Sequence, residues 1–429
     1  MNKIEKLIPE LRFPAFVKDK DWEKKSLIDT ADKKVKWSFT GGPFGSNLKA
    51  SDYTKSGFRI IQLQNIGDGE FNDDYKIYAS KEKADELLSC NIYAGDIIIS
   101  KMGDPVGRAC IIPDSLKRCI MASDGIRLVV DEKLYSKYFI YSLINSNSIR
   151  ESIEKKSTGS TRKRIGLDEL RNINLYIPKS LKEQQKIASC LSSLDELIQV
   201  HTKKLEILKD HKKGLMQNLF LQEGEKVPKY RFPEFENKGN WVNDVLGNRG
   251  EFMGGGTPSK SNPAFWDGDF PWISSSDISE DSIHQIGITR FITNDAIKNS
   301  ATKVIPENSL LIVSRVGVGK IAITTKEIST SQDFTNFIPE KDNVEFLGYY
   351  LKCKKDILLG FSQGMAIKGF TKDDIASLKL SFPTDIREQQ KIASTLSALD
   401  NLILAQTEKI EQLKEHKIGL MQSLFPTII

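Results

Sequence analysis

Two stretches of this chain, 183–220 and 388–425, space their apolar residues alternately three and four positions apart. The first series runs Leu191, Leu194, Ile198, Leu205, Leu208, Leu215 and Leu219, with His201 and Lys212 filling the remaining places. The second runs Leu396, Leu399, Ile403, Ile410, Leu413, Leu420 and Leu424, completed by Gln406 and Lys417. That spacing is the seam of a coiled coil. No proline interrupts either stretch, and Lys, Glu, Gln and Leu favour helix. Each stretch predicts a helix roughly 57 Å long at ~1.5 Å per residue. Of the 38 positions, 26 are identical at a constant offset of 205. An amphipathic helix needs a partner for its stripe, and the obvious partner is the other copy. Polar residues in such a seam fix its register or mark where it meets another partner.

The repetition reaches beyond the helices. "PELRFPAFVKDKDW" (9–22) matches "PKYRFPEFENKGNW" (228–241) at an offset of 219. "DIIISKMGDPVGRACII" (96–112) resembles "SLLIVSRVGVGKIAI" (309–323), with Ser100 set on Ser314, and "GSTRKRIGLDELRNINLYIP" (159–178) matches "GMAIKGFTKDDIASLKLSFP" (364–383). The expected order is therefore a globular unit (1–182), a long helix (183–220), a linker (221–230), a second globular unit (231–387) and a second long helix (388–425). Two copies of this size are a duplication with two-fold pseudo-symmetry, not a solenoid. Within the units, "FRIIQLQNI" (58–66), "DIIIS" (96–100), "IRLVV" (126–130), "SLLIVS" (309–314) and "KIAITT" (320–325) predict strands. Gly/Pro/Ser-rich loops divide them, notably "TGGPFGSNLKASDY" (40–53) and "GGGTPSKSNPAFW" (254–266).

Charge adds one asymmetry. The net charge of +5 is mild, but residues 1–182 hold 32 basic against 25 acidic residues, while 221–387 hold 20 against 22. A basic first unit invites a nucleic-acid partner. Five scattered cysteines and four histidines give no disulfide framework and little for a metal. With no apolar run of membrane length and no signal-like h-region, a cytoplasmic protein without a membrane partner is expected. Catalytic motifs are missing. "SRVGVGK" (314–320) lacks the spacing of a phosphate-binding loop and has Ile321 where Ser or Thr would bind magnesium. The chain contains no Pro-Pro, and Pro113-Asp114 has no persuasive Glu-x-Lys partner for a nuclease centre.

Taken together, "RFPAF" and "RFPEF", "GPFGSNL", "GGGTPS…NPAFW…PWISSSDI", "GSTRKR" and the twin "EQQKIAS.LS.LD…GLMQ.LF" resemble the specificity subunit of type I restriction–modification systems. The resemblance covers essentially the whole chain. It implies an α+β fold in which two pseudo-repeated, β-rich target-recognition domains are separated by two long antiparallel coiled-coil helices. It further implies a non-catalytic subunit that reads a bipartite, asymmetric site on double-stranded DNA. Two copies of the methyltransferase subunit would dock on the helices and bring S-adenosylmethionine; no cofactor is expected on this chain. Restriction (motor-nuclease) subunits would join through them.

Candidate DNA contacts follow from charge and loop chemistry. The densest cluster is Lys155, Lys156, Arg162, Lys163 and Arg164, able to neutralise phosphates or reach guanine, or else a solvated loop. Its counterpart in the second unit keeps only Lys368. Lys101 and Arg315 follow the matched serines, and Arg108 and Lys320 come shortly after. Ser46, Asn47, Thr257 and Ser259 lie in Gly/Pro loops that suit phosphate or base edges, though turn chemistry selects the same residues. Trp266 and Trp272 read as packing. Two rivals stay open: a coiled-coil adaptor that never touches DNA, and the specificity half of a DNA-modifying enzyme with an unfamiliar active site.

Overall fold

The computed structural model describes residues 8–160, 162–222, 224–361 and 369–426. The chain forms two compact units, 1–200 with 410–429 and 201–409. Their boundaries fall inside the two long helices, Leu181–Leu219 and Ile386–Leu424. Each unit thus owns one globular domain, the first half of the helix that follows it, and the end of the other helix.

In unit 1 a five-stranded sheet runs in the order Tyr53–Thr54, Ile77–Ala79, Phe58–Ile61, Arg118–Met121, Asn91–Tyr93, and a four-stranded sheet in the order Phe39–Gly41, Gly125–Leu128, Ile97–Ser100, Ala109–Ile111. Among the described residues of this unit only Phe58–Ile61 and Arg118–Met121 pair in parallel. Unit 2 repeats the plan in shorter form. Its four-stranded sheet is Gly250–Gly254, Thr335–Pro339, Leu310–Ile312, Ile321–Ile323. A three-stranded sheet, Arg290–Ile292, Phe270–Ile273, Ser329–Thr330, again contains one parallel pair. The α+β class expected from the sequence is the one observed.

The repeated motifs fasten each helix to its domain. In unit 1, Arg12 of "RFP" donates a fork to Glu183 of "EQQK", Nε to Oε1 at 2.7 Å and Nη2 to Oε2 at 2.8 Å. Trp22 Nε1–H donates to the same carboxylate at 3.3 Å. In unit 2, Arg231 and Trp241 do the same to Glu388, at 2.8, 2.7 and 3.1 Å. Both carboxylates are buried, where a bidentate, charge-assisted pair is strongest and most directional. The next residue also reaches the domain: Gln184 accepts from Ser136 N–H at 2.9 Å, and Gln389 from Asn343 N–H at 3.0 Å.

The seam is formed inside each unit. In unit 1 Ile187, Ala188 and Leu191 share a core with Leu424 and Phe425, and Leu420 packs against it. In unit 2 Leu219 and Phe220 share a core with Ile392, Ala393 and Leu396. Within each unit residue numbers rise along one helix as they fall along the other, so the pairing is antiparallel. The polar seam members have partners; Lys212 and Gln406 are buried, His201 and Lys417 half-buried. Lys417 pairs with Asp195, which also accepts from the Tyr138 hydroxyl. Lys212 pairs with Asp400, which accepts from the Tyr349 hydroxyl at 2.7 Å. Gln406 Nε2 donates to the His201 carbonyl at 2.9 Å. Ion pairs that close only in one alignment fix the register.

Candidate nucleic-acid interface

Five loops and turns of unit 1 converge on one open cavity of about 570 Å³. Its walls include Phe44 from the loop after Phe39–Gly41, Gln62 and Gln64 from the turn after Phe58–Ile61, and Arg108 from the 102–108 loop. Ser123 with Asp124 and Arg162 complete it. Gly42 sets the first loop in place. A Cβ there would stand 1.8 Å from the Ala122 carbonyl oxygen, so only glycine lets the loop cross the 122–124 turn. Gly255 does this in unit 2, where a Cβ would stand 2.1 Å from Ser331 O. Phe44, 83% exposed, projects beyond the crossing.

The cationic loop is clamped to the wall. Lys163 and Arg164 pair antiparallel with Gly103 and Met102, and Ile165 N–H donates to Lys101 O at 2.9 Å. This brings Lys101, Arg108, Arg162, Lys163 and Arg164 together. Their charges are not equally available. Lys163 is paired with Glu154, while Arg164 stands 3.9 Å from Asp124. Arg162 is exposed and lines the cavity, and Arg108 lines it with a buried Nε that has no hydrogen-bond partner among the described residues. Lys155 is exposed in the last turn of helix Asn147–Lys155, and Lys156 Nζ donates to Asn172 O at 3.0 Å. Ser46 and Asn47 are exposed in the Phe44 loop, joined by a 3.3 Å hydrogen bond.

In unit 2 the Thr257 hydroxyl donates to Gln332, Ser259 bonds Ser261 at 2.8 Å, and Ser259 O accepts from Trp266 Nε1–H at 3.1 Å. Arg315 is exposed at a loop tip beside Val316, and Lys320 is half-buried. Trp272 is buried, donates to Gly256 O at 3.0 Å and meets Trp266 edge-on at 5.0 Å, so both tryptophans pack. Lys368 lies outside the described residues.

Two sequence expectations change. Ser100 and Ser314 are not equivalent. Ile99 and Ile312 occupy the same rung of their ladders, opposite Ala109 and Ile321, and Lys101 N–H and Ser314 N–H make the same bond to Asp124 O and Asp333 O. Ser314 therefore stands where Lys101 does, and Arg315 where Met102 does; a slip of one residue turns a side chain to the other face. Arg108 and Lys320 remain equivalent. The strand expected over 58–66 ends at Ile61, because buried Asn65 accepts Gln62 N–H at 3.0 Å and curls the chain into a turn. Gln62 and Gln64 were hidden in that apparent strand and, with Phe44, Ser123 and Asp124, are among the wall residues sequence reasoning missed.

The seam residues are turned inward: Leu191, Leu219, Leu396, Leu399, Ile410, Leu413 and Leu424 are buried, and Leu194, Ile198, Leu205, Leu208, Leu215, Ile403 and Leu420 half-buried. Leu197 and Val200 in unit 1, and Ile207, Leu402 and Leu404 in unit 2, remain exposed. Leu197 and Leu402 are equivalent in the repeat. Among the described residues no cluster of His, Cys, Asp and Glu could hold a metal, and no helix is long and apolar enough to cross a membrane.

The family described as the type I restriction modification DNA specificity domain matches this sequence twice, over residues 20–210 and 238–415. Two Methanocaldococcus jannaschii proteins that carry the names MjaX and MjaIX specificity subunits of type I restriction enzymes are similar to it. The first is 25% identical over 382 residues, 86% of this chain and 87% of the other. The second is 32% identical over 191 residues, 43% and 44%. The fold is shared with the crystal structure of a type I restriction–modification S subunit from M. genitalium, with a TM-score of 0.62, 17% identity, and coverage of 99% of this chain and all of that one.

Proposed function

The chain belongs to the type I restriction–modification DNA specificity family, and from that premise we propose that it reads a split DNA site and carries a methyltransferase to it. As a specificity subunit it is not itself catalytic. Each unit reads one half-site. The two half-sites differ in sequence, because the loops that line the two units differ. The observation that carries this reading is the unit 1 cavity, where exposed Arg162 and half-buried Arg108, whose Nε has no hydrogen-bond partner among the described residues, line an opening shared with two glutamines. Such a surface suits a phosphate backbone with base edges beside it.

Two methyltransferase subunits dock on the helices, supplying S-adenosylmethionine, and restriction subunits join through them in the cytoplasm. Support for docking comes from the exposed apolar residues Leu197, Val200, Ile207 and Leu402, whose burial by a partner would be favourable. The test is reconstitution with the methyltransferase of the same system. Methyl transfer from radiolabelled S-adenosylmethionine to duplex DNA should require both proteins, and native mass spectrometry should find two methyltransferase copies per chain. Transfer by the methyltransferase alone, or a complex that never touches DNA, would contradict the proposal and favour the adaptor.

A further inference from the structure

The same short turn occurs in both units at the end of a parallel-paired strand. In unit 1 it follows Phe58–Ile61, and Asn65 accepts Gln62 N–H at 3.0 Å. In unit 2 it follows Phe270–Ile273, and Asp277 accepts Ser274 N–H at 2.7 Å. Exposure matches at the two positions that carry the exchanged polar side chains: Gln62 and Ser274 are half-buried, Gln64 and Ser276 exposed. The backbone frame is constant and the side chains on it are exchanged, glutamines in one unit and serines in the other. A protein that reads two unlike sequences with duplicated domains needs that arrangement.

We propose that this turn is the base-reading element of each unit, with Gln62 and Gln64 recognising adenine in one half-site and Ser274 and Ser276 contacting bases of the other. The assignment rests on the function proposed above. A glutamine amide offers one donor and one acceptor, the pattern that matches adenine N7 and the N6 amino group in the major groove; a serine hydroxyl is less selective. Gln62 Nε2 donates to the Tyr53 hydroxyl at 3.1 Å, which orients the amide and leaves its oxygen to accept from N6. Among the described residues the Gln64 amide makes no hydrogen bond, and it lines the cavity with Arg108 and Arg162. In unit 2, Arg290 donates to Ser274 Oγ at 2.7 Å while lying over the Trp272 ring at 4.7 Å, and Ser274 Oγ is 2.9 Å from Ser276 Oγ. The serine pair is thus held as firmly as Gln62.

The experiment is selection from a pool of duplexes of random sequence by the purified complex of this chain with its methyltransferase, followed by sequencing of the retained fraction. The unsubstituted complex should enrich one split motif. Gln62→Ser with Gln64→Ser should relax one or two adjacent positions in one half, with discrimination there falling by roughly 5- to 150-fold. Ser276→Ala should affect only the other half. The half left intact, and the unchanged gap, report that the protein is folded and assembled. If the double variant retains no DNA, Gln64→Ala at an exposed position decides in its place. A split motif that both sets of substitutions leave unchanged overturns the assignment alone. The absence of any motif from the unsubstituted complex overturns the function it rests on, and the assignment with it.

Discussion

Replacing Glu388 with glutamine keeps the shape of the side chain and removes its charge. Its two oxygens take three donors, from Arg231 Nε and Nη2 and from Trp241 Nε1, at 2.8, 2.7 and 3.1 Å. An amide offers one oxygen and turns an NH2 group toward the guanidinium. At least one hydrogen bond to a charged group is lost, at about 1.5–3 kcal/mol. The Arg231 side chain, 7% exposed, is also left buried without a counter-ion. Breaking a buried pair from one side costs about 3–5 kcal/mol, so Glu388→Gln should lower the unfolding free energy of unit 2 by ~3 kcal/mol or more. Arg231→Met with Glu388→Leu removes both charges and should recover most of that loss. The assay is urea unfolding of Glu388→Gln, of the two single variants of the cycle (Arg231→Met and Glu388→Leu), of their double variant and of the parent, followed by tryptophan fluorescence, since Trp241 sits on the pair. A loss below ~1 kcal/mol for Glu388→Gln, or single effects that simply add in the cycle, would refute the claim that this fork fastens the helix to its domain.

Other consequences are as definite. Leu194→Glu with Leu399→Glu puts charge into the seam of both units and should abolish methyltransferase co-purification, while conservative Leu→Met changes at the same places retain it. Arg162→Ala should reduce the slope of log K against log salt by about 0.9, the release from one phosphate; Lys163→Ala should reduce it less, because Glu154 already holds that charge. Burial, with nearby Lys212 adding, lowers the Lys352 ammonium to about 8, and its Nζ has no hydrogen-bond partner among the described residues. An unfolded lysine keeps its proton to about pH 10.4, so between pH 8 and 10 the unfolded state binds more protons and stability rises with pH. Lys352→Met should therefore stabilise unit 2 at pH 7, by on the order of 1–3 kcal/mol, and flatten that rise in unfolding midpoints measured across the same window.

The long helices were legible because their spacing runs uninterrupted through 38 positions and occurs twice. What His201, Lys212, Gln406 and Lys417 do in the seam was legible only as a class of role. Their partners are not written in the spacing, since Asp195 and Asp400 lie beside Leu194 and Leu399 and approach the lysines only when the helices fold back. The "RFP" and "EQQK" motifs announced the repeat, but Arg12 and Glu183 are 171 residues apart, so their fork is invisible until the chain closes. "FRIIQLQNI" alternates like a strand, and nothing in that period reveals that Asn65, bonded to the Asn72 and Tyr75 carbonyls at 2.8 and 3.0 Å, will cap it early. The serine match failed by one residue for a related reason. Identical letters in two strands do not fix register, whereas the ladder does. The cationic cluster was found from charge density, but only the folded chain, which sets Glu154 against Lys163, separates exposed Arg162 from neutralised Lys163.

The most direct test of the central claim is a map of modified bases across the genome of a methylation-free host that expresses this chain with the methyltransferase of its system. One split motif, with two unlike half-sites and a fixed gap, is expected, and it should disappear when this chain is omitted. Methylation that persists without the chain, or a stable complex that leaves the genome unmodified, would contradict it.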